Sequence, residues 1–521
     1  MVEKWIADEC SLANGRKLLP GKRLGNLMKP RTALIFKAVE GFCPISLRSA
    51  FVAGVLALGF VAPLHADYLD EIGYRDLVAE LQAAGKTVPD GTGVTVSQVE
   101  ASVENARDAN GNIISYAYLA DQSLYSGVTI NNASGSSYPA AISGHANAVG
   151  YHLFGDGSMG SGITSVTAYL ADDWVGTGSL RAGSLLSPRT EGDDVANFSW
   201  VGTMGLAAND QIVLNRLDYQ IQRDDYVAVV AVNNGSVAQN LLASAYNVIS
   251  VGVTSGNHAS GSSSEVNSAV TYPQLVVPES ATSYATPVVS SAAALLIQTA
   301  RGSSTTSANG AKSEVIKALL LAGATRSEFS NWSRSDTSPL DATFGAGELN
   351  VLNSSHILTA GEQTANAVVA TTGWDFNSIA LNATVSYTFD LAATGDLSVA
   401  LTWNAIYSGV NFNALSLSLA DLNLSLYEIG TGGALTLVQQ SLSSGNIEAL
   451  WVTDLAAGDY VLKVTYASNA SGLGSSTEYA MAWQTTYTGF VAVPEPAFTA
   501  LIVAGGLVMV VTLRRRVARS L

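Results

Sequence analysis

Four short apolar runs constrain the fold of this chain more than any other feature. Val94–Val99, Ile163–Leu170, Tyr226–Val232 and Val248–Val253 read as strands buried on both faces, with Ala-rich segments between them. Strands that are buried twice and alternate with helical runs belong to a largely parallel sheet with helices on both sides. Tyr284–Thr299 and Ser313–Leu321 have the composition and spacing of two of those helices. From Thr371 to Thr485 the pattern changes to period two, broken at Gly, Asn and Ser turns, as in a β-sandwich. Its clearest strands are Val385–Phe389, Leu397–Trp403, Leu415–Leu426 and Asp459–Val464.

The ends of the 521-residue chain read as addresses rather than as fold. Arg48 precedes the apolar run Ala50–Ala62, and Leu64-His-Ala66 supplies small-residue exit chemistry, the layout of a secretory signal peptide. At the other end, Val493-Pro-Glu-Pro496 leads into an apolar stretch, Ala497–Leu513, followed by Arg514, Arg515, Arg516 and Arg519. That stretch is near the ~17-residue lower limit for crossing a bilayer. The arginines would hold its end in the cytoplasm. Both cysteines, Cys10 and Cys43, precede the expected cut, which leaves the exported part without a thiol.

Between those ends, residues 67–493 carry 13 basic and 37 acidic side chains, a net charge of −24. A surface that acidic disfavours nucleic acid and anionic membranes as partners. It suits an extracytoplasmic setting, and structural calcium could exploit it, although no D-x-D-x-D-G loop is present. His152, His258 and His356 have no partners at metal-ligand spacing, so no metal site is assigned.

Three short blocks carry chemistry. Glu100 ends the strand-like Val94-Thr-Val-Ser-Gln-Val-Glu100. His145 stands in Ser143-Gly-His-Ala-Asn-Ala-Val-Gly150, and Ser283 in Ala281-Thr-Ser-Tyr-Ala-Thr-Pro287, just before the Tyr284–Thr299 helix. A carboxylate, an imidazole and a hydroxyl are what nucleophilic acyl transfer needs: the ring takes the hydroxyl proton, and the carboxylate fixes the ring. Alone, each block has a structural use: a strand-end carboxylate, a buried histidine, a helix cap.

In this order the blocks resemble the subtilisin family of serine proteases. The strand ending in Glu100 is similar to the family's strand ending in the catalytic Asp. The His145 block resembles H-G-T-H-V, and Ala281–Pro287 resembles G-T-S-x-A-x-P. Val229-Val-Ala-Val-Asn-Asn-Gly235 is similar to the block holding the oxyanion asparagine, and Asn197-Phe-Ser-Trp-Val-Gly202 to the substrate-binding edge strand. The resemblance implies an α/β, subtilisin-like parallel sheet flanked by helices, followed by a C-terminal β-sandwich of jelly-roll type. It implies catalytic Glu100, His145 and Ser283, an oxyanion donor at Asn234, and substrate contacts at Ser199, Trp200 and Val201, with Trp200 as an apolar pocket wall. No cofactor is required, and the partner is a protein or peptide substrate.

The Pro-Glu-Pro tail resembles the PEP-CTERM sorting signal of Gram-negative bacteria. This implies export to the cell envelope or beyond, a transient membrane anchor, and handling by membrane sorting machinery. The expected organisation is 1–66 leader and signal peptide, 67–358 peptidase, 359–490 β-sandwich and 491–521 sorting tail.

The chain also departs from the family. Glu100 replaces Asp, Ala281 replaces the glycine before Thr-Ser, and Ala148 replaces the second histidine of its block. The segment from Val277 to Ser283 is short, and Asp67–Val88 is too short for the usual inhibitory propeptide. The expectation is an attenuated peptidase; the competing reading is a subtilase scaffold that has lost catalysis and serves as a surface or matrix binding protein. Sedolisin-type peptidases also use a glutamate, but paired with an Asp on one helix; Glu100 and Glu104 imitate this weakly and leave His145 without a role.

Overall fold

The computed structural model describes residues 67–102, 117–135, 138–304, 306, 309–469 and 475–488. The leader, the sorting tail and Glu104 lie outside the described residues. The first half runs α1 (Tyr68–Glu71), α2 (Tyr74–Ala83), β1 (Val96–Glu100), β2 (Ala117–Leu119), β3 (Thr129–Asn132), β4 (Ala140–Ile142) and α3 (Gly144–Phe154). It continues with β5 (Ser165–Leu170), α4 (Ala171–Gly176), β6 (Val195–Phe198), α5 (Ala207–Asp224), β7 (Val227–Ala231) and β8 (Ile249–Val253). Then come β9 (Leu275–Val277), α6 (Thr282–Arg301), α7 (Ser313–Gly323) and α8 (Val351–Thr359).

Seven of these strands form one sheet in the order β3-β5-β1-β6-β7-β8-β9, with every pair parallel. The period-two geometry of a strand explains the twice-buried runs. On β7, Val227 and Val229 pack with α3, α6 and α7, whereas Ala228 and Val230 pack with α4 and α5. Strand β1 is buried throughout even though it holds Ser97 and Gln98. Polar groups buried in a central strand call for a partner, and Gln98 finds one at the C-terminal end of the strand.

The second half is antiparallel apart from one short edge pairing. Strands β10 (Ala367–Val368), β11 (Gly373–Ala380), β12 (Thr384–Leu391), β13 (Gly395–Thr402), β14 (Ile406–Ser408) and β15 (Ser416–Ser418) come first. They are followed by β16 (Ala420–Ile429), β17 (Leu435–Ser441), β18 (Ile447–Leu455), β19 (Gly458–Asn469) and β20 (Ser476–Tyr487). A five-stranded sheet, β10-β12-β19-β16-β17, faces a four-stranded one, β11-β20-β13-β18. Trp403, Trp483, Tyr387, Tyr466 and Tyr479 fill the space between them.

The four-stranded sheet is buried on its other face too. Trp374, Ala400, Ala480 and Ala482 join the core formed by α6 and α7, while their neighbours Val399, Leu401 and Met481 point into the sandwich. Small alanines let α7 lie close against the sheet, so the two halves share a core. Asn247 completes the seam by donating to the Ala405 carbonyl at 3.0 Å and accepting the Ala405 N–H at 2.8 Å.

Candidate active site

The site forms where β1 ends and α3 and α6 begin, at the C-terminal end of a central strand of the parallel sheet. Gln98 and Glu100 are two residues apart on β1 and share a face. Glu100 is 2 % exposed, and its Oε2 lies 2.7 Å from His145 Nδ1. Its other oxygen accepts a hydrogen bond from Gln98 Nε2 at 2.8 Å, and the same amide donates to the Ala146 carbonyl at 3.0 Å. The longer side chain of Glu therefore reaches the ring with both oxygens used. A carboxylate only accepts, so the proton of a neutral His145 ring sits on Nδ1 and Nε2 carries the ring's lone pair.

His145 stands in the first turn of α3. Ser143, with extended backbone, precedes the helix and its hydroxyl accepts the Ala146 N–H at 3.3 Å. Placing Glu100 on a strand removes the sedolisin arrangement, which needs its glutamate on a helix.

Ser283 is the second residue of α6. In the first turn of a helix the N–H groups have no intrahelical acceptor, and the dipole is positive there. Ala281 offers no side-chain cap, so the end of this helix is closed from outside. The Thr282 N–H donates to Asn234 Oδ1 at 3.0 Å, and the Thr282 hydroxyl to the same oxygen at 3.1 Å. A backbone N–H cannot accept, so Oδ1 must face Thr282 and Asn234 Nδ2 is left on the other side of the amide. Pro287 has no N–H to return to the Ser283 carbonyl four residues earlier.

The aromatic ring of Tyr284 links α6 to α3. Its centroid is 6.2 Å from that of His145 and 5.9 Å from that of His152, with the latter ring stacked on it. His152 lies beside a second glutamate: its Nδ1 is 3.7 Å from Glu279 Oε1, too far for a hydrogen bond. Burial pushes His152 down to about 4, and burial likewise raises Glu279 above the usual carboxylate range.

Ser199, Trp200 and Val201 continue the chain out of β6. Gly202 then bridges Leu241 in antiparallel fashion. The Ser199 hydroxyl accepts from Asn197 Nδ2 at 3.0 Å, and Asn197 Oδ1 accepts from Ser290 of α6 at 2.9 Å. Trp200 is 5 % exposed and meets Phe198 edge-on, its indole packed in the core shared with α5.

The structure thus brings Glu100 to His145, and Asn234 to the residue before Ser283. Sequence reasoning missed Gln98, Thr282, Asn197, Tyr284 and the Glu279–His152 neighbour pair. Gln98 alone left a signal: a polar residue in an otherwise apolar strand, two positions before the carboxylate. Among the described residues no group of three or more His, Cys, Asp or Glu is arranged to hold a metal ion, and no helix is long and apolar enough to cross a membrane.

No family model matches the chain, and no curated protein matches it. Among solved structures, tripeptidyl peptidase 2 is similar over 66 % of this chain and 40 % of its own, at 11 % identity and a TM-score of 0.28. The pre-peptidase C-terminal domain of collagenase from Bacillus anthracis is similar over 24 % of this chain and 100 % of its own, at 12 % identity and a TM-score of 0.17. The g-type lysozyme inhibitor of Aeromonas hydrophila covers 24 % of this chain and 92 % of its own, at 14 % identity and a TM-score of 0.15. At these scores the likenesses carry no argument for function, which rests on the residues themselves.

Proposed function

We propose that the protein is an exported serine endopeptidase of subtilisin type that uses Glu100 where the family uses Asp. The observation that carries this reading is the 2.7 Å contact between Glu100 and His145, made by a buried carboxylate whose second oxygen is held by Gln98.

In this mechanism Ser283 Oγ attacks the scissile carbonyl carbon and its proton passes to His145 Nε2. The developing oxyanion is met by Asn234 Nδ2 and the Ser283 N–H, with the α6 dipole adding favourable potential. The C–N bond then breaks as His145 gives its proton to the leaving amine, and water repeats the sequence on the acyl-enzyme. Glu100 holds the ring in place and stabilises the imidazolium. No cofactor takes part. The apolar run before Ala66 and the Pro-Glu-Pro tail support export and a temporary membrane anchor in a Gram-negative envelope, with peptide or protein as substrate.

The test is labelling of the purified protein by a fluorophosphonate, with Ser283→Ala as control. Labelling that vanishes in the variant is the expected result. A folded wild-type protein that takes no label would make the chain a scaffold without acyl-transfer chemistry.

A further inference from the structure

Asn234 faces a mechanical problem. Its residue is exposed on a loop just beyond β7, yet its amide must keep one orientation for Nδ2 to point at a developing charge. The bond to Thr282 fixes the amide tip, but something has to fix the backbone beneath it.

That support comes from the loop after β8. Gly256, at φ +71°, turns the chain back so that residues 257–259 run against residues 233–235. Asn234 and His258 form an isolated antiparallel bridge. The Ala259 N–H donates to the Asn233 carbonyl at 2.8 Å, and the Gly235 N–H to the Asn257 carbonyl at 3.3 Å. The backbone on both sides of Asn234 is therefore held by the backbone on both sides of His258.

His258 in turn is anchored inward. The residue is 5 % exposed, with Nε2 3.1 Å from the Val253 carbonyl at the end of β8 and Nδ1 3.2 Å from the Ala259 carbonyl. A neutral imidazole has one N–H, and the tautomer that carries it on Nε2 donates to Val253 and ties the loop to the strand end. The ring lies over Gly252 of β8, where a Cβ would come within 2.8 Å of Nε2 and 2.9 Å of Pro273 Cγ. Only glycine at that strand position leaves the imidazole its place. An aliphatic side chain at 258 could fill the space but could not tie the loop to the strand end.

We propose that His258 is a positioning residue for Asn234, its ring clamping the 257–259 loop to the end of β8 so that the oxyanion donor is held in register with Ser283. The inference rests on the peptidase reading for its catalytic consequence, but its mechanical part stands on these contacts alone. Its closest neighbours by hydrogen bonding are carbonyls, and neither Val253 nor Ala259 brings a charge. The clamp therefore acts by geometry rather than by field.

The experiment is a double-mutant cycle between Asn234→Ala and His258→Phe. It is read by peptide-hydrolysis kcat and KM, by the fluorophosphonate labelling rate, and by backbone hydrogen exchange of residues 233–235 in the purified full chain. Losing an oxyanion donor costs roughly 100- to 1,000-fold, so Asn234→Ala sets the ceiling. Because His258 acts through that donor, His258→Phe should lower kcat and labelling by about tenfold or more with little change in KM. In the Asn234→Ala background the same change should cost nothing further. His258→Gln, whose amide can donate to one of the two carbonyls, should recover part of the rate and covers the case in which the Phe variant fails to fold.

Multiplicative losses in the double variant, or wild-type rates in His258→Phe and His258→Gln, overturn the proposal. If the wild-type protein neither labels nor hydrolyses peptides, the peptidase reading fails instead. Hydrogen exchange then decides the clamp: faster exchange at 233–235 in His258→Gln supports it, and unchanged exchange overturns it.

Discussion

Helix α3 presents two imidazoles on one face, seven residues apart, and each has a glutamate beside it. His145 meets Glu100 at 2.7 Å, whereas His152 and Glu279 stop at 3.7 Å with His152 Nδ1 unbonded. The residue types are identical, so the difference lies in what carries the carboxylate. Glu100 projects from the end of a central strand, and Gln98 of the same strand holds its far oxygen. Glu279 sits in the short connection between β9 and α6, where its Oε2 accepts the Ser280 N–H of its own chain neighbour at 3.3 Å. A glutamate–histidine pair becomes a candidate catalytic pair when a rigid element and a supporting donor aim it.

The strongest challenge to this contrast is Glu100→Gln, which keeps the shape but offers an amide to Nδ1 and so favours the wrong tautomer. Turnover should fall on the order of 10⁴-fold, measured as kcat on a peptide substrate. Glu100→Asp sharpens the comparison further: it keeps the charge but draws the carboxylate back by about one bond. Losing a charge-assisted hydrogen bond of that kind should cost roughly 10- to 100-fold. An Asp variant faster than the wild type would show that the reach of Glu100 is not what this site is built around. Gln98→Leu leaves the carboxylate but removes its support, and about a tenfold loss in labelling rate is expected.

The second pair should show itself in stability. The folded protein holds His152 at about 4, below the ordinary 6.5, because burial disfavours its charge. The unfolded chain therefore takes up that proton first, and the stability His152 contributes at neutral pH is lost as pH falls from about 6.5 towards 4. Glu279, raised by burial, works in the opposite sense, since the folded state holds its proton more tightly. Denaturant titration of His152→Phe should show the variant gaining on the wild type as pH falls through that window, by at most about 3 kcal/mol. A gap independent of pH would mean that His152 is solvated. The smallest effect is expected for Glu279→Gln, which should leave the labelling rate within about twofold, since no hydrogen bond to His152 is lost.

The same contrast between strand and loop separates what could be read in the sequence from what could not. The parallel sheet was legible because strands buried on both faces leave apolar runs, and those runs fall on β1, β5, β7 and β8. The helix after Ser283 was legible, although it starts at Thr282 and runs to Arg301. In the sandwich, Leu415–Leu426 reads as one strand, but the structure divides it at Leu419 between β15 and β16. The buried outer face of the four-stranded sheet was not legible: Ala400, Ala480 and Ala482 are small, and in a period-two pattern they look like neutral solvent-facing positions.

Sequence by itself determined the class of the fold and the order carboxylate, imidazole, hydroxyl, because both are local properties of runs and of the residues at their ends. Tertiary structure decided which glutamate reaches which histidine, that Asn234 closes the start of α6, and that His258 braces it from another loop. Those contacts join residues 45 to 48 positions apart or cross between loops. Their partners are fixed by how strands and helices pack, and no short pattern in the chain encodes a distance of that kind.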